Sequence, residues 1–126
     1  MKPTAFIYSL LAASVTAVPL ETQPPKQVTV ALSNDQSGAY AGVAFAADGT
    51  DRGIPALYKG TPVDKEGNIL ASSAQLTAFP QTIKCVIKNN GVPIATLTAQ
   101  NTYANLNPKS GPVPVNLNNG VINCIA

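Results

Sequence analysis

Two cysteines, Cys85 and Cys124, and five acidic side chains in turn-like strings are the residues whose types could do chemistry. An even pair of cysteines flanked by apolar residues reads most simply as one disulfide, provided the compartment is oxidising. A reactive or intermolecular thiol pair is the lesser alternative. The carboxylates Asp48, Asp51, Asp64 and Glu66, with Asp35 apart from them, could bind Ca²⁺ or act as a glycosidase pair if the fold brought them together. Asp48-Gly-Thr-Asp51 lacks the alternating oxygen spacing of a calcium loop, however, and Asp is common in turns because its side chain bonds nearby backbone amides. These carboxylates are therefore expected to shape turns. The chain has no His, so imidazole acid–base catalysis, Ser-His-Asp and Cys-His nucleophile systems and His-ligated zinc are excluded. Neither a catalytic residue, a metal site nor a cofactor is expected.

The segments that must position these residues begin with an export signal. Lys2 precedes an apolar run from Ala5 to Val15, and Val15 and Ala17 suit a cut before Val18. That layout predicts a signal peptide over 1–17, too short to span a bilayer, where about 20 apolar residues are needed. Residues 18–26, with Pro19, Pro24 and Pro25, read as a flexible lead-in. A single domain over 27–126 is expected to follow. Export to an oxidising, extracellular setting follows from the signal and agrees with the disulfide reading.

Composition narrows the class. Charged residues make up 11% of the chain and prolines number 11. Thr, Ser, Asn and Gln must supply most of the wettable surface, which suits a stable extracellular β domain. With Lys2 removed the charge is close to neutral, giving no electrostatic footprint for nucleic acid or anionic lipid. The absence of Trp weakens a sugar-stacking role, and no Asn-x-Ser/Thr sequon occurs.

The order of elements is β throughout. Gln27–Ser33 alternates, with Val28, Val30 and Leu32 on one face, and Tyr40–Ala47 follows the turn Asn34–Gly38. Asp48-Gly49 favours a hairpin, and Asp51-Arg52-Gly53 continues the punctuation. Ile54–Tyr58 fits an edge strand or one helical turn. Ile69–Phe79 reads as a bent strand in preference to a helix. Thr82–Lys88 places Ile83, Cys85 and Ile87 inward. Asn89-Asn90-Gly91 is a tight turn leading to Val92–Thr98. Val113, Val115 and Leu117 suggest another strand, Asn118-Asn119-Gly120 a second turn, and Val121–Ile125 closes the chain. Seven to eight short strands with frequent turns predict an all-β fold, an antiparallel β-sandwich or small β-barrel with one disulfide. Tyr40, Tyr58 and Tyr103 could line a shallow groove, but read better as core-rim residues with wet hydroxyls. Ser72-Ser73 read as surface polar residues of a strand.

The strings Val28-Thr-Val-Ala-Leu-Ser-Asn-Asp-Gln-Ser-Gly38 and Ala71-Ser-Ser-Ala-Gln-Leu-Thr-Ala-Phe79, with Cys85 shortly after, resemble small secreted proteins of filamentous fungi, the hypersensitive-response-inducing elicitors. The resemblance covers most of the chain after the signal loosely and these strings more closely. It implies a secreted fungal protein that plants perceive, triggering defence and sometimes local cell death, and it assigns no residue a role. Together with composition it leads to the expectation of a non-enzymatic elicitor or effector recognised by a plant receptor or membrane component. The presenting segments would be Asn34–Ala39, Asp48–Gly53 and Asn105–Gly111, with Asn34, Asp35, Gln36, Asp48, Asp51, Arg52, Asn107 and Lys109 as candidate recognition residues. The alternative is a cell-wall-associated structural or weakly polysaccharide-binding protein. The sequence sets no oligomeric state.

Overall fold

A computed structural model describes residues 26–126, and the expected signal peptide and all but the last residue of the lead-in lie outside them. Lys26 already belongs to the fold, since its carbonyl accepts a hydrogen bond from Ala47 N at 2.7 Å. The architecture is all-β. The described residues form eleven antiparallel strands and one helical turn, and eight of the strands run four residues or more. One four-stranded sheet has the order β2 (Ala39–Ala46), β1 (Gln27–Asn34), β6 (Ser73–Ala78), β9 (Tyr103–Asn105). The other has the order β3 (Asp48–Gly53), β11 (Gly120–Ile125), β7 (Lys84–Asn89), β8 (Val92–Thr98). A small three-stranded sheet, β10 (Val115–Asn116), β5 (Asn68–Ala71), β4 (Asp64–Lys65), completes the set. The two larger sheets are open at both edges and pack as a sandwich, not a barrel.

Alternation in the sequence is what builds the core. Val28, Val30 and Leu32 of β1 face Cys85 and Ile87 of β7, Leu97 of β8 and Ile122 of β11 within one buried cluster. Between the sheets sits α1 (Ile54–Tyr58), a helical turn of five residues with Pro55 in its first turn, where its fixed φ suits the helix and its missing N–H would have no intrahelical partner. Of the two readings of Ile54–Tyr58, the helical turn is therefore the one adopted. Tyr58 is buried, and its hydroxyl donates to the Val30 carbonyl at 2.7 Å. It is a core residue, which corrects its placement at the rim with a wet hydroxyl. A tyrosine can occupy an apolar interior when its hydroxyl finds a partner there.

Ile69–Phe79 is a bent strand, broken at Ser72 into β5 and β6, which join different sheets. The Asn90-Gly91 turn has both residues at positive φ, 53° and 78°, as a two-residue hairpin of this hand requires. Asp48–Gly53 is not a turn but strand β3, paired to β11 with Arg52 opposite Ile122. The hairpin reading of Asp48-Gly49 fails because β2 and β3 do not pair. The dipeptide lies where the chain crosses between sheets, and Gly49, at φ 81°, lets it turn there.

Cys85 and Cys124 form a disulfide between β7 and β11, and they stand directly opposite in the register. Closing a loop of 39 residues stabilises the fold by about 4 kcal/mol on the chain-entropy account. The last strand is thus covalently tied while sitting between two neighbours.

Burial of Tyr58 pushes its ionisation well above the ordinary phenol range. The folded state therefore keeps its proton at a pH where the unfolded chain, titrating near 10, has lost it. Stability from this group is complete below about pH 10 and declines as pH rises further. Chemical denaturation of native chain and Tyr58→Phe between pH 8 and 11 should show a steeper loss in the native chain. Parallel curves would exclude this role for Tyr58.

Candidate recognition surface

The polar segments singled out from sequence divide into two regions. The first is built around Ser72. This residue is fully buried, not on the surface as its sequence suggested, and Ser73 is buried as well. Its hydroxyl accepts from Asp35 N at 3.0 Å and lies 2.9 Å from Asp35 Oδ2 and 3.2 Å from the Ser33 carbonyl. One hydroxyl hydrogen serves one acceptor at a time, and the shorter contact to the carboxylate is the stronger. Ser72 N also donates to the Ser33 carbonyl, while the Ser72 carbonyl accepts from Leu106 N at 2.9 Å. One residue therefore bonds both the turn after β1 and the entrance to the Asn105–Gly111 loop.

Within that turn, Asp35 and Gln36 are exposed, as expected of presenting residues. Asn34 is not. Only 7% of it is accessible, and its Oδ1 accepts from Gln36 N at 3.0 Å and Ser37 N at 3.3 Å. Its role is to shape the turn, the ordinary use of a short amide side chain there. Gly38, at φ 78°, completes the turn by donating to the Asn34 carbonyl. Asn107 is partly exposed and Lys109 exposed, in a loop held by Ser110 N donating to the Asn107 carbonyl. Beside the 34–39 turn lies an open groove of about 450 Å³, lined across from it by Pro62, Val63, Asp64, Lys65 and Glu66.

Asp48, Asp51 and Arg52 form the second region, on β3. Asp48 begins beyond the far end of β2, whose eight residues put it about 27 Å from the Asn34–Ala39 turn. Asp48 accepts from Thr50 N and from Arg52 Nη2, each at 3.0 Å. Hydrogen bonds from Thr50, with a lesser contribution from Arg52, hold its carboxyl below its ordinary pKa. The Arg52 guanidinium stands 5.7 Å from the Phe45 ring centroid, a cation–π contact. Asp51 Oδ1 accepts from Asn123 Nδ2 at 2.9 Å, and the same amide donates to the Gly49 carbonyl. These groups fasten β3 to β11 and offer strand edge, not loop.

The acidic strings behave likewise in the third turn. Asp64 accepts from Gly60 N at 2.8 Å and Gly67 N at 3.0 Å, closing the bend that carries Lys65 and Glu66. Among the described residues, no three carboxylates or cysteines converge in a way that could hold a metal ion. The segment Pro62–Glu66 was missed as a neighbour of the Asn34–Ala39 turn, because nothing in a linear sequence relates two bends about 27 residues apart. Ser72 was misplaced because a buried serine and a surface serine read alike until the partner is known.

Replacing Ser72 by Ala should lower stability by about 1–2 kcal/mol, since it removes the hydroxyl that Asp35 N and the Asp35 carboxylate share. Amides 35–38 should then exchange faster with deuterium than those of β7 and β11. Equal exchange in native and variant chains would show that Ser72 does not hold the turn. Searches against protein-family models, curated proteins and solved structures found no match to this chain.

Proposed function

We propose that this chain is a secreted fungal elicitor or effector, perceived by plants through surface recognition without catalysis and inducing defence or a hypersensitive response. The partner is a plant receptor or membrane component. The observation that carries the reading is the pairing of two polar, turn-rich segments, around Asp35 and around Lys109, through the single buried residue Ser72 on a disulfide-tied sandwich. Recognition by such a surface works through fixed shape and neutral hydrogen bonding, because little charge is available to steer a partner. The disulfide and the absence, among the described residues, of a helix long and apolar enough to cross a membrane are compatible with export.

Infiltration into leaves tests it. Native chain at micromolar doses should give a local defence response. A double variant, Gln36→Ala and Lys109→Glu, with unchanged thermal stability, should need at least about tenfold more protein, equivalent to 1.4 kcal/mol of recognition. No response to the native chain at those doses would overturn the reading. An equally potent double variant would move recognition elsewhere on the surface.

A cell-wall-associated, weakly polysaccharide-binding role is the second reading, favoured by the outer face of the β2-β1-β6-β9 sheet. Tyr40 and Tyr103 stand on its two edge strands, each 53% accessible, and no charged side chain belongs to the four strands. Tyrosines on a flat neutral face suit weak stacking against sugar rings. Retention on chitin or β-glucan that drops in Tyr40→Ala and Tyr103→Ala would support it, and a native chain that washes through both would end it.

A further inference from the structure

An edge strand leaves a row of backbone N–H and C=O groups open, and natural sheets guard such rows with charge, proline, bulges or brevity. The two large sheets end in four edges: β2, β9, β3 and β8. Three are guarded. β3 carries Asp48, Asp51 and Arg52 within six residues. β8 contains Pro93, which has no N–H, and its pairing with β7 shifts register between Ile87 and Lys88. β9 is three residues long. β2 has none of these devices. Its eight residues, Ala-Tyr-Ala-Gly-Val-Ala-Phe-Ala, contain neither charge nor proline and pair with β1 in unbroken register from Ala39 to Ala46.

The direction of its open groups follows from two hydrogen bonds. Ala47 N donates to the Lys26 carbonyl, which turns the even-numbered residues of β1 toward β2. Ser72 N donates to the Ser33 carbonyl, which turns the odd-numbered ones toward β6. On β2, therefore, Ala39, Ala41, Val43 and Phe45 bond to β1. The N–H and C=O groups of Tyr40, Gly42, Ala44 and Ala46 point off the sheet. Among the described residues none of them has a backbone partner.

We propose that β2 is a self-pairing edge, through which two copies of this chain join antiparallel about a twofold axis beside Val43. In this register Tyr40 faces the partner's Ala46 and Gly42 faces the partner's Ala44, so the outward-pointing groups of both copies meet. Tyr40 and Phe45 then lie opposite alanines, Val43 meets its own copy across the axis, and no charge opposes another. The two four-stranded sheets become one of eight. The contact is isologous and closed, so it stops at a dimer. This inference stands apart from the elicitor reading.

The test uses the chain as exported by a eukaryotic host. Ala44→Pro removes an N–H that bonds nothing among the described residues, and Gly42→Lys adds a side chain where a Cβ meets only Thr29 Cγ2 at 3.5 Å. Sedimentation at about 100 μM should give twice the single-chain mass for the native protein, dissociating on dilution as mass action requires. Both variants should remain single chains with circular dichroism unchanged. Deuterium exchange of the native chain should slow at least about tenfold at high concentration within 39–46 alone, a change that needs no variant to fold. A native chain that is single throughout, a dimer kept by both folded variants, or protection arising elsewhere would each overturn the proposal. So would growth into open fibres. Protection of 39–46 in a chain that sediments as a single copy at every concentration would also overturn it.

Discussion

The arrangement of β11 constrains everything else in this molecule. The strand lies between β3 and β7, bonded to both, and its Cys124 is joined to the residue directly opposite on β7. Only with β11 in place do Ile122 and Ile87 present a continuous apolar layer to Val28, Val30 and Leu32 of the facing sheet. α1 wedges between the layers and is fixed to the opposite sheet by the Tyr58 hydroxyl. The covalent bond narrows the unfolded ensemble around the strand pair that the core most needs.

The low charge of the chain has a structural counterpart. Asparagine side chains do at the turns what ion pairs do in more charged proteins. Asn68 Oδ1 accepts from Asn116 Nδ2 at 3.3 Å and from Asn118 Nδ2 at 3.0 Å, while Asn118 Oδ1 accepts from Ile69 N. Asn119 Nδ2 donates to Asn90 Oδ1 at 2.9 Å, linking the two Asn-Gly turns. Neutral amide contacts of this kind are nearly indifferent to salt, unlike surface ion pairs, of which Asp48–Arg52 is the one present among the described residues. A surface of this composition offers shape and hydrogen-bonding groups more than charge.

Local pattern made most of the fold legible. Alternation over Gln27–Ser33 and Thr82–Lys88 located β1 and β7 and their inward faces, and the Asn-Gly turn located the β7–β8 hairpin. The bend in Ile69–Phe79 was readable, although its cause, a serine bonding across to another strand, was not. The errors share one origin. Asp48-Gly49 carries the composition of a hairpin, and only the distant partner β11 makes its continuation a strand. Tyr58 and Ser72 carry polar atoms that are normally wet, and only Val30, Ser33 and Asp35 allow them inside. The proposed surface was half legible for the same reason: exposure of Asp35, Gln36 and Lys109 follows from turn composition, whereas the juxtaposition of their loops depends on tertiary contacts.

The place of β11 also sets an order of events in the cell. Asp51 and Asn123, which hold β3 to it, are separated by 72 residues, so β3 emerges from the ribosome long before anything can pair with it. Sheets with such distant pairings form in milliseconds to seconds, after the entropy of a long loop has been met. The chain must therefore travel through synthesis with this half of the sandwich unmade. Its cysteines become partners only when the later strand arrives, and oxidation then seals a topology that could not have been assembled piecemeal from the first strand onward.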